Sequence, residues 1–192
     1  MPAAEAIMHA AASLFMDKGY RAVTMDMVAD EAGLTKAAVY YHFRDKPSLM
    51  VAAVRATLNQ ARRGTEALLA GPGTLRERLE AVAGTVLRLP QPFSAFDAML
   101  HEAESDLSPE QMVQVRADEQ LVADAVAAAV RAGSARGEVR AVNPDLVAHA
   151  FVSLLRAGQA RLPDGSPRFP DTGGTAEALV GLLWKGLDPS GA

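Results

Sequence analysis

Apolar positions recur at helical spacing along most of the 192-residue chain, and no stretch alternates with period two. The pattern predicts an all-α fold. Ile7, Ala11, Leu14 and Phe15 form one stripe on a first helix over 3–18, which Gly19 stops. Thr24 is the expected N-cap of a second helix, with Asp26 in its first turn and Gly33 at its end. Thr35 caps a third helix to about Phe43. A fourth opens at Asp45 or Lys46, carries Pro47 in its first turn and runs towards Ala70.

Gly71-Pro72-Gly73 breaks the pattern. Thr74 caps a fifth helix to about Leu89, which Pro90 and Pro92 end. A sixth spans about Phe93 to Ser105. Ser108-Pro109-Glu110-Gln111 joins an N-cap, a first-position proline and a capping-box glutamine, and opens a seventh helix to about Ala135. Asn143-Pro144 starts an eighth to about Leu162. Residues 163–174 read as a loop, and Thr175 caps a last helix to about Leu187. There is no internal repeat and no low-complexity linker.

The composition, 49% hydrophobic and 22% charged, is that of a globular protein able to bury a sizeable core. The absence of cysteine excludes disulfides and thiolate metal sites. The N-terminus is alanine-rich, but no Lys or Arg precedes Ile7, so it reads as a helix of the mature protein rather than a signal peptide. No run reaches the roughly 18 apolar residues of a membrane span. These features point to a cytoplasmic protein without membrane association. The net charge of −4 gives no global basic field, so any nucleic-acid binding must use a local patch.

One segment departs from ordinary core. Thr35 to Lys46, TKAAVYYHFRDK, sets two tyrosines and a histidine side by side. The second and third helices are short and joined through Gly33, with Ala29 placed for a close crossing and Val28, Leu34, Val39 and Phe43 beneath. This is helix-turn-helix spacing, with the third helix as the recognition element. Val39 and Phe43 share an inward face, leaving Lys36, Ala37, Tyr40, Tyr41 and Arg44 outside. Alanine admits a base pair closely and can touch a thymine methyl, while Tyr and His tips can donate to phosphates. The helix starts at Thr24 and Lys46 offer N–H groups to an anion. Residues 1–46 carry five Lys or Arg against six Asp or Glu, so binding must rest on placement and be salt-sensitive.

The run from Ile7 to Met50 resembles the DNA-binding headpiece of the TetR family of transcriptional regulators. Ala11, Phe15, Gly19, Thr24, Val28, Ala29, Ala32, Gly33, Thr35, Val39-Tyr40-Tyr41-His42-Phe43, Lys46 and Leu49 carry the resemblance, which covers about a quarter of the chain. It implies a homodimer with DNA-binding residues 1–50 and a helical effector-binding and dimerisation part, 51–192. It further implies a repressor that a small molecule releases from DNA. Thr24, Thr35, Lys36, Ala37, Tyr40, Tyr41, His42 and Lys46 align with positions that touch DNA in the family. Ala37-Ala38 stand where Gly or Ser is common, which makes direct readout from this helix sparse.

Beyond Arg55 no catalytic signature or phosphate loop is present, and no enzymatic activity or cofactor is expected. Asp97, His101 and Glu104 share a helix face. A hydrolytic metal site there is the weaker alternative to a solvated face, to which nearby Glu102 and Asp106 point. Phe93, Phe96, Met99 and Met112 suit either core or an adaptable, mostly apolar effector pocket, with Arg88 or His101 as polar anchor. Helices 144–162 and 175–187 are apolar enough to pair with symmetry mates, which would set two headpieces on a near-palindromic operator. The rival to a regulator is a helical small-molecule-binding protein with a vestigial headpiece.

Overall fold

The computed structural model describes residues 2–90 and 92–187. Among them are nine helices: α1 (Ala3–Lys18), α2 (Met25–Ala32), α3 (Lys36–His42), α4 (Lys46–Leu69), α5 (Leu75–Leu87), α6 (Phe93–Ala103), α7 (Pro109–Ala135), α8 (Pro144–Gly158) and α9 (Thr172–Trp184). The fold is all-α, with an N-terminal helix-turn-helix and C-terminal helices. The caps lie where the sequence puts them for most helices. Thr24 accepts from the Met27 N–H and Thr35 from the Ala38 N–H, each at 3.2 Å. Ser108 and Gln111 complete a reciprocal capping box at 2.8 and 3.2 Å.

Several helix ends differ from expectation by two residues or more, among them the start of α9 and the end of α8. α9 begins at Thr172 rather than after Thr175, because the Asp171 carboxylate takes the cap by accepting from the Gly174 N–H at 3.0 Å. Thr175 lies inside the helix and donates to the Asp171 carbonyl. α8 stops at Gly158, short of the expected end at Leu162. The chain then folds into a small hairpin, in which the Leu162 N–H donates to Ser166 and the Arg168 N–H to Ala160, both at 2.9 Å. An isolated antiparallel bridge joins Arg161 and Pro167.

The chain forms two compact units, each discontinuous in sequence. The first comprises residues up to Gln60 with Phe93–Glu119. Here α1 packs on α2, α3 and α6. Ile7, Phe15, Tyr20, Val28, Val39, Leu49 and Met50 are each at most 1% exposed. Leu100 and Ala103 from α6 and Val115 from α7 join the same cluster. The helix-turn-helix therefore shares one hydrophobic core with α6, though a long stretch of chain separates them. Burying side chains of this size contributes about 1.5–3 kcal/mol each before conformational entropy is subtracted.

Among the described residues the second unit comprises 61–90, Pro92 and 120–187, where α5, α8 and α9 pack together. Leu75, Leu79, Val130, Phe151 and Val180 are buried. Glu138 ties its loops, accepting from the Leu75 N–H at 2.9 Å and from Arg78 at 3.2 Å. A Cβ on Gly158 would sit 2.7 Å from a Leu87 methyl and 2.8 Å from a Leu179 methyl. The small residue thus serves packing within the chain, and Val147, Phe151 and Leu155 of the same stripe are buried there too. Much of the apolar surface that suggested pairing with a second copy is already covered.

Candidate nucleic-acid interface

Two glycines set the geometry beneath the site. Gly33 adopts the left-handed conformation, φ 67°, and its N–H donates to the Ala29 carbonyl. This ends α2 abruptly and brings Thr35 round to start α3. Gly19 has φ 79°, and a Cβ there would stand 2.9 Å from a Glu102 carboxylate oxygen. Its lack of a side chain lets α6 approach the turn after α1.

α3 buries Val39 completely and half-buries Phe43, so its opposite face stands in solvent. Tyr41 is 85% exposed and Tyr40 46%. The Tyr41 and His42 rings meet edge-on, with centroids 5.1 Å apart. Thr24, Thr35, Ala37 and His42 are also exposed. The arrangement presents uncharged hydrogen-bonding tips on a short helix with small residues between them, which suits phosphate contact and close approach to base edges.

The cations are placed differently. Lys36 lies 2.8 Å from Asp26 Oδ1. Arg44 pairs with Asp45 at 3.0 Å. Lys46 is half-buried, with Nζ 4.2 Å from the Tyr20 ring centroid and donating to the Arg21 carbonyl at 3.3 Å. Desolvation pulls its pKa below the usual lysine value, partly offset by Asp106 and Glu102. The start of α4 already holds an anion of the chain, because Asp45 accepts from the Ser48 N–H at 2.8 Å. That hydrogen bonding holds the Asp45 carboxyl below its ordinary range.

Sequence reasoning did not find Asp26, Glu102 and Asp106 as partners of this surface. Glu102 accepts from the Arg21 N–H at 3.0 Å, and Asp106 accepts from the Tyr20 hydroxyl at 3.1 Å. Only Asp26, ten residues before Lys36, could have been suspected from spacing.

The residues considered for an effector do not all come together. Met99 is 3% exposed and part of the core, with Phe96 and Met112 packed against it. Phe93 is half-buried. The His101 side chain is 86% exposed and faces Glu104 at 3.4 Å. Arg88 belongs to the second unit and donates to Thr85 at 3.4 Å. A cleft of about 160 Å³ is lined by Asp97, Leu100, His101, Glu104, Met112 and Arg116. Among the described residues no three His, Asp or Glu side chains are grouped to hold a metal ion, and no helix is long and apolar enough to cross a membrane.

Residues 7–53 match the family model described as bacterial regulatory proteins, tetR family. The chain is 27% identical over 178 residues, 93% of its length and 80% of the relative's, to the HTH-type transcriptional activator FasR of Mycolicibacterium smegmatis. The TetR-family regulator PfmR of Thermus thermophilus is 29% identical, with a TM-score of 0.67 over 95% of this chain and 98% of that one. AibR, solved with isovaleryl coenzyme A and operator DNA, is 25% identical with a TM-score of 0.62, over 94% and 97%. The helix-turn-helix thus lies in a segment that matches the tetR family of bacterial regulatory proteins, and along nearly its whole length the chain is similar to transcriptional regulators of that family.

Proposed function

We propose that the protein is a homodimeric cytoplasmic repressor, released from a near-palindromic operator by a small apolar or amphipathic effector. Residues 1–50 carry the DNA contacts, and 51–192 carry effector binding and dimerisation. The observation that supports this most is the outward face of α3. Tyr41 is 85% exposed and Tyr40 46%, on the side of the helix away from the fully buried Val39, so both phenol tips are free to reach a duplex. Thr24, Thr35, Lys36, Ala37, Tyr40 and His42 surround it, and Lys46 acts from the edge by holding Tyr20 and the Arg21 carbonyl in place.

The effector class rests on Met99, Phe96 and Met112, whose flexible or flat side chains can re-pack around an apolar group. The cleft beside His101 and Met112, about 160 Å³, is too small for a large ligand without such re-packing. AibR binds isovaleryl coenzyme A, which makes short acyl thioesters the first probes. The test is anisotropy of labelled duplexes tiled over the DNA flanking the gene, at several salt concentrations. One duplex should bind far more tightly than the rest, with release by an effector. Equal binding of every duplex would leave a vestigial headpiece. A promoter fusion reads the sign, and stimulation in place of repression would give the role that the name of FasR carries.

A further inference from the structure

Asp26 lies on the outward side of the helix-turn-helix, where a carboxylate faces the polyanion that the reading above assigns to this surface. It is exposed, in the first turn of α2, and both its oxygens reach the Lys36 ammonium, at 2.8 and 3.0 Å. Lys36 is the first residue of the recognition helix. Its Nζ also stands 6.0 Å from the Tyr40 ring centroid, so the pair sits among the tips that would meet DNA. Hydrogen bonding and charge from Asp26 hold the Lys36 ammonium above its ordinary pKa.

We infer that Asp26 is a specificity-determining residue: it occupies Lys36 in place of a phosphate and so suppresses binding to non-operator DNA. A phosphate on a random duplex must displace the carboxylate and stand beside it, trading one anion for another with little gain. On the operator, contacts from Tyr40, Tyr41 and Ala37 anchor the helix and bring Lys36 to a fixed partner. The other local cations act in the same direction. Arg44 is held by Asp45, and Lys46 is drawn over the Tyr20 ring. Generic attraction for nucleic acid is low by construction, and discrimination falls to the uncharged tips.

This inference rests on the DNA-binding reading, and its test separates the two. Asp26→Asn is compared with the parent on a random-sequence duplex of about 30 base pairs, from low to moderate salt, because the phosphate contribution to affinity is read from its salt slope. An exposed ion pair is weak, so freeing Lys36 should raise random-duplex affinity by no more than about fivefold at low salt. One added phosphate contact should steepen the slope of log K against log salt by about 0.9. Glu31→Gln removes the same charge from a different face of α2 and should have a much smaller effect. Lys36→Gln placed in the Asp26→Asn background should cancel the gain. Asp26→Glu, which keeps the charge, should retain the parent's discrimination, and thermal melting checks that each variant folds. Equal gains from Asp26→Asn and Glu31→Gln, or no change from Asp26→Asn, would overturn the inference while DNA binding stands. A parent with no salt-dependent affinity for any duplex would overturn both.

Discussion

The Tyr20 hydroxyl donates to the Asp106 carboxylate at 3.1 Å across 86 residues of sequence. Tyr20 is 1% exposed, packed on Phe15 and under the Lys46 ammonium. Asp106 sits just beyond α6, whose Glu102 accepts from the Arg21 N–H. The turn before the recognition unit, the start of α4 and the end of α6 therefore meet at one polar knot. A shift of α6 would have to break or carry these bonds with it, and this is the route by which the proposed effector would reach the headpiece. A coupling of about 1–3 kcal/mol would change DNA affinity roughly 5–150-fold, and DNA would weaken effector binding by the same factor.

The knot has a pH signature. Burial first, and Asp106 second, push the Tyr20 pKa well above its ordinary value of 10.0. The folded state therefore favours the protonated phenol. The stability this contributes is fully present below about pH 10 and is lost as pH rises above it. Tyr20→Phe should cost about 1 kcal/mol near neutrality, since one hydrogen bond goes while the ring packing stays. The difference in urea midpoint between parent and variant should narrow between about pH 10 and 12. A constant difference would mean that the phenol is not held protonated by the fold.

Tyr41 is the cleanest probe of the surface. With 85% of it exposed and its ring meeting that of His42 edge-on, Tyr41→Ala should leave stability within about 0.5 kcal/mol of the parent. Operator affinity should nonetheless fall. Lys46→Ala is less clean than its position in the sequence suggests. Its Nζ lies over Tyr20 and on the Arg21 carbonyl, so truncation should lower both stability and operator affinity. A Tyr41→Ala protein that binds operator as tightly as the parent would remove α3 as the recognition element.

Local chemistry made most of the fold legible. Thr24, Thr35, Thr74, Ser108 and Asn143 announce helix starts through side chains that bind N–H groups two or three residues on, a signal contained within one turn of sequence. α9 shows the limit: Asp171 and Thr175 are both capable caps, and the carboxylate takes the role. The face of α3 was readable because Val39 and Phe43 fix which side is buried. The attachment of α6 to the headpiece was not, since Glu102 and Asp106 look like any solvated acids until Gly19, Tyr20 and Arg21 are brought against them. Nor does spacing show that Gly158 is filled by Leu87 and Leu179 of its own chain.

Dimerisation should depend on what α8 and α9 leave uncovered. Leu146 is 68% exposed and Leu182 61%, while Phe151, Leu155 and Val180 are already buried. Leu146→Glu and Leu182→Glu should each change monomer stability little, because most of each side chain stands in solvent. In a dimer built on these helices each would bury an unpaired charge, so the protein should become monomeric by sedimentation and lose operator affinity together. A Leu146→Glu, Leu182→Glu protein that stays dimeric would place the interface elsewhere.

Two methionines of the proposed effector site stand in different surroundings. Met99 is 3% exposed and wedged in the core with Leu100 and Ala103. Met112 is half-buried and lines the cleft with Leu100, His101 and Arg116. Met99→Trp adds a large ring where no space is open and should cost about 1–3 kcal/mol through overpacking. Met112→Trp can direct its ring into the cleft, so it should fold with near-parent stability and still bind operator. If the effector enters beside Met112, that ring occupies its place and the release of DNA by the effector should be lost. A Met112→Trp protein with an intact effector response would move the binding site away from this cleft. One that unfolds would show that Met112 is filled core, and the proposed entry point would go with it.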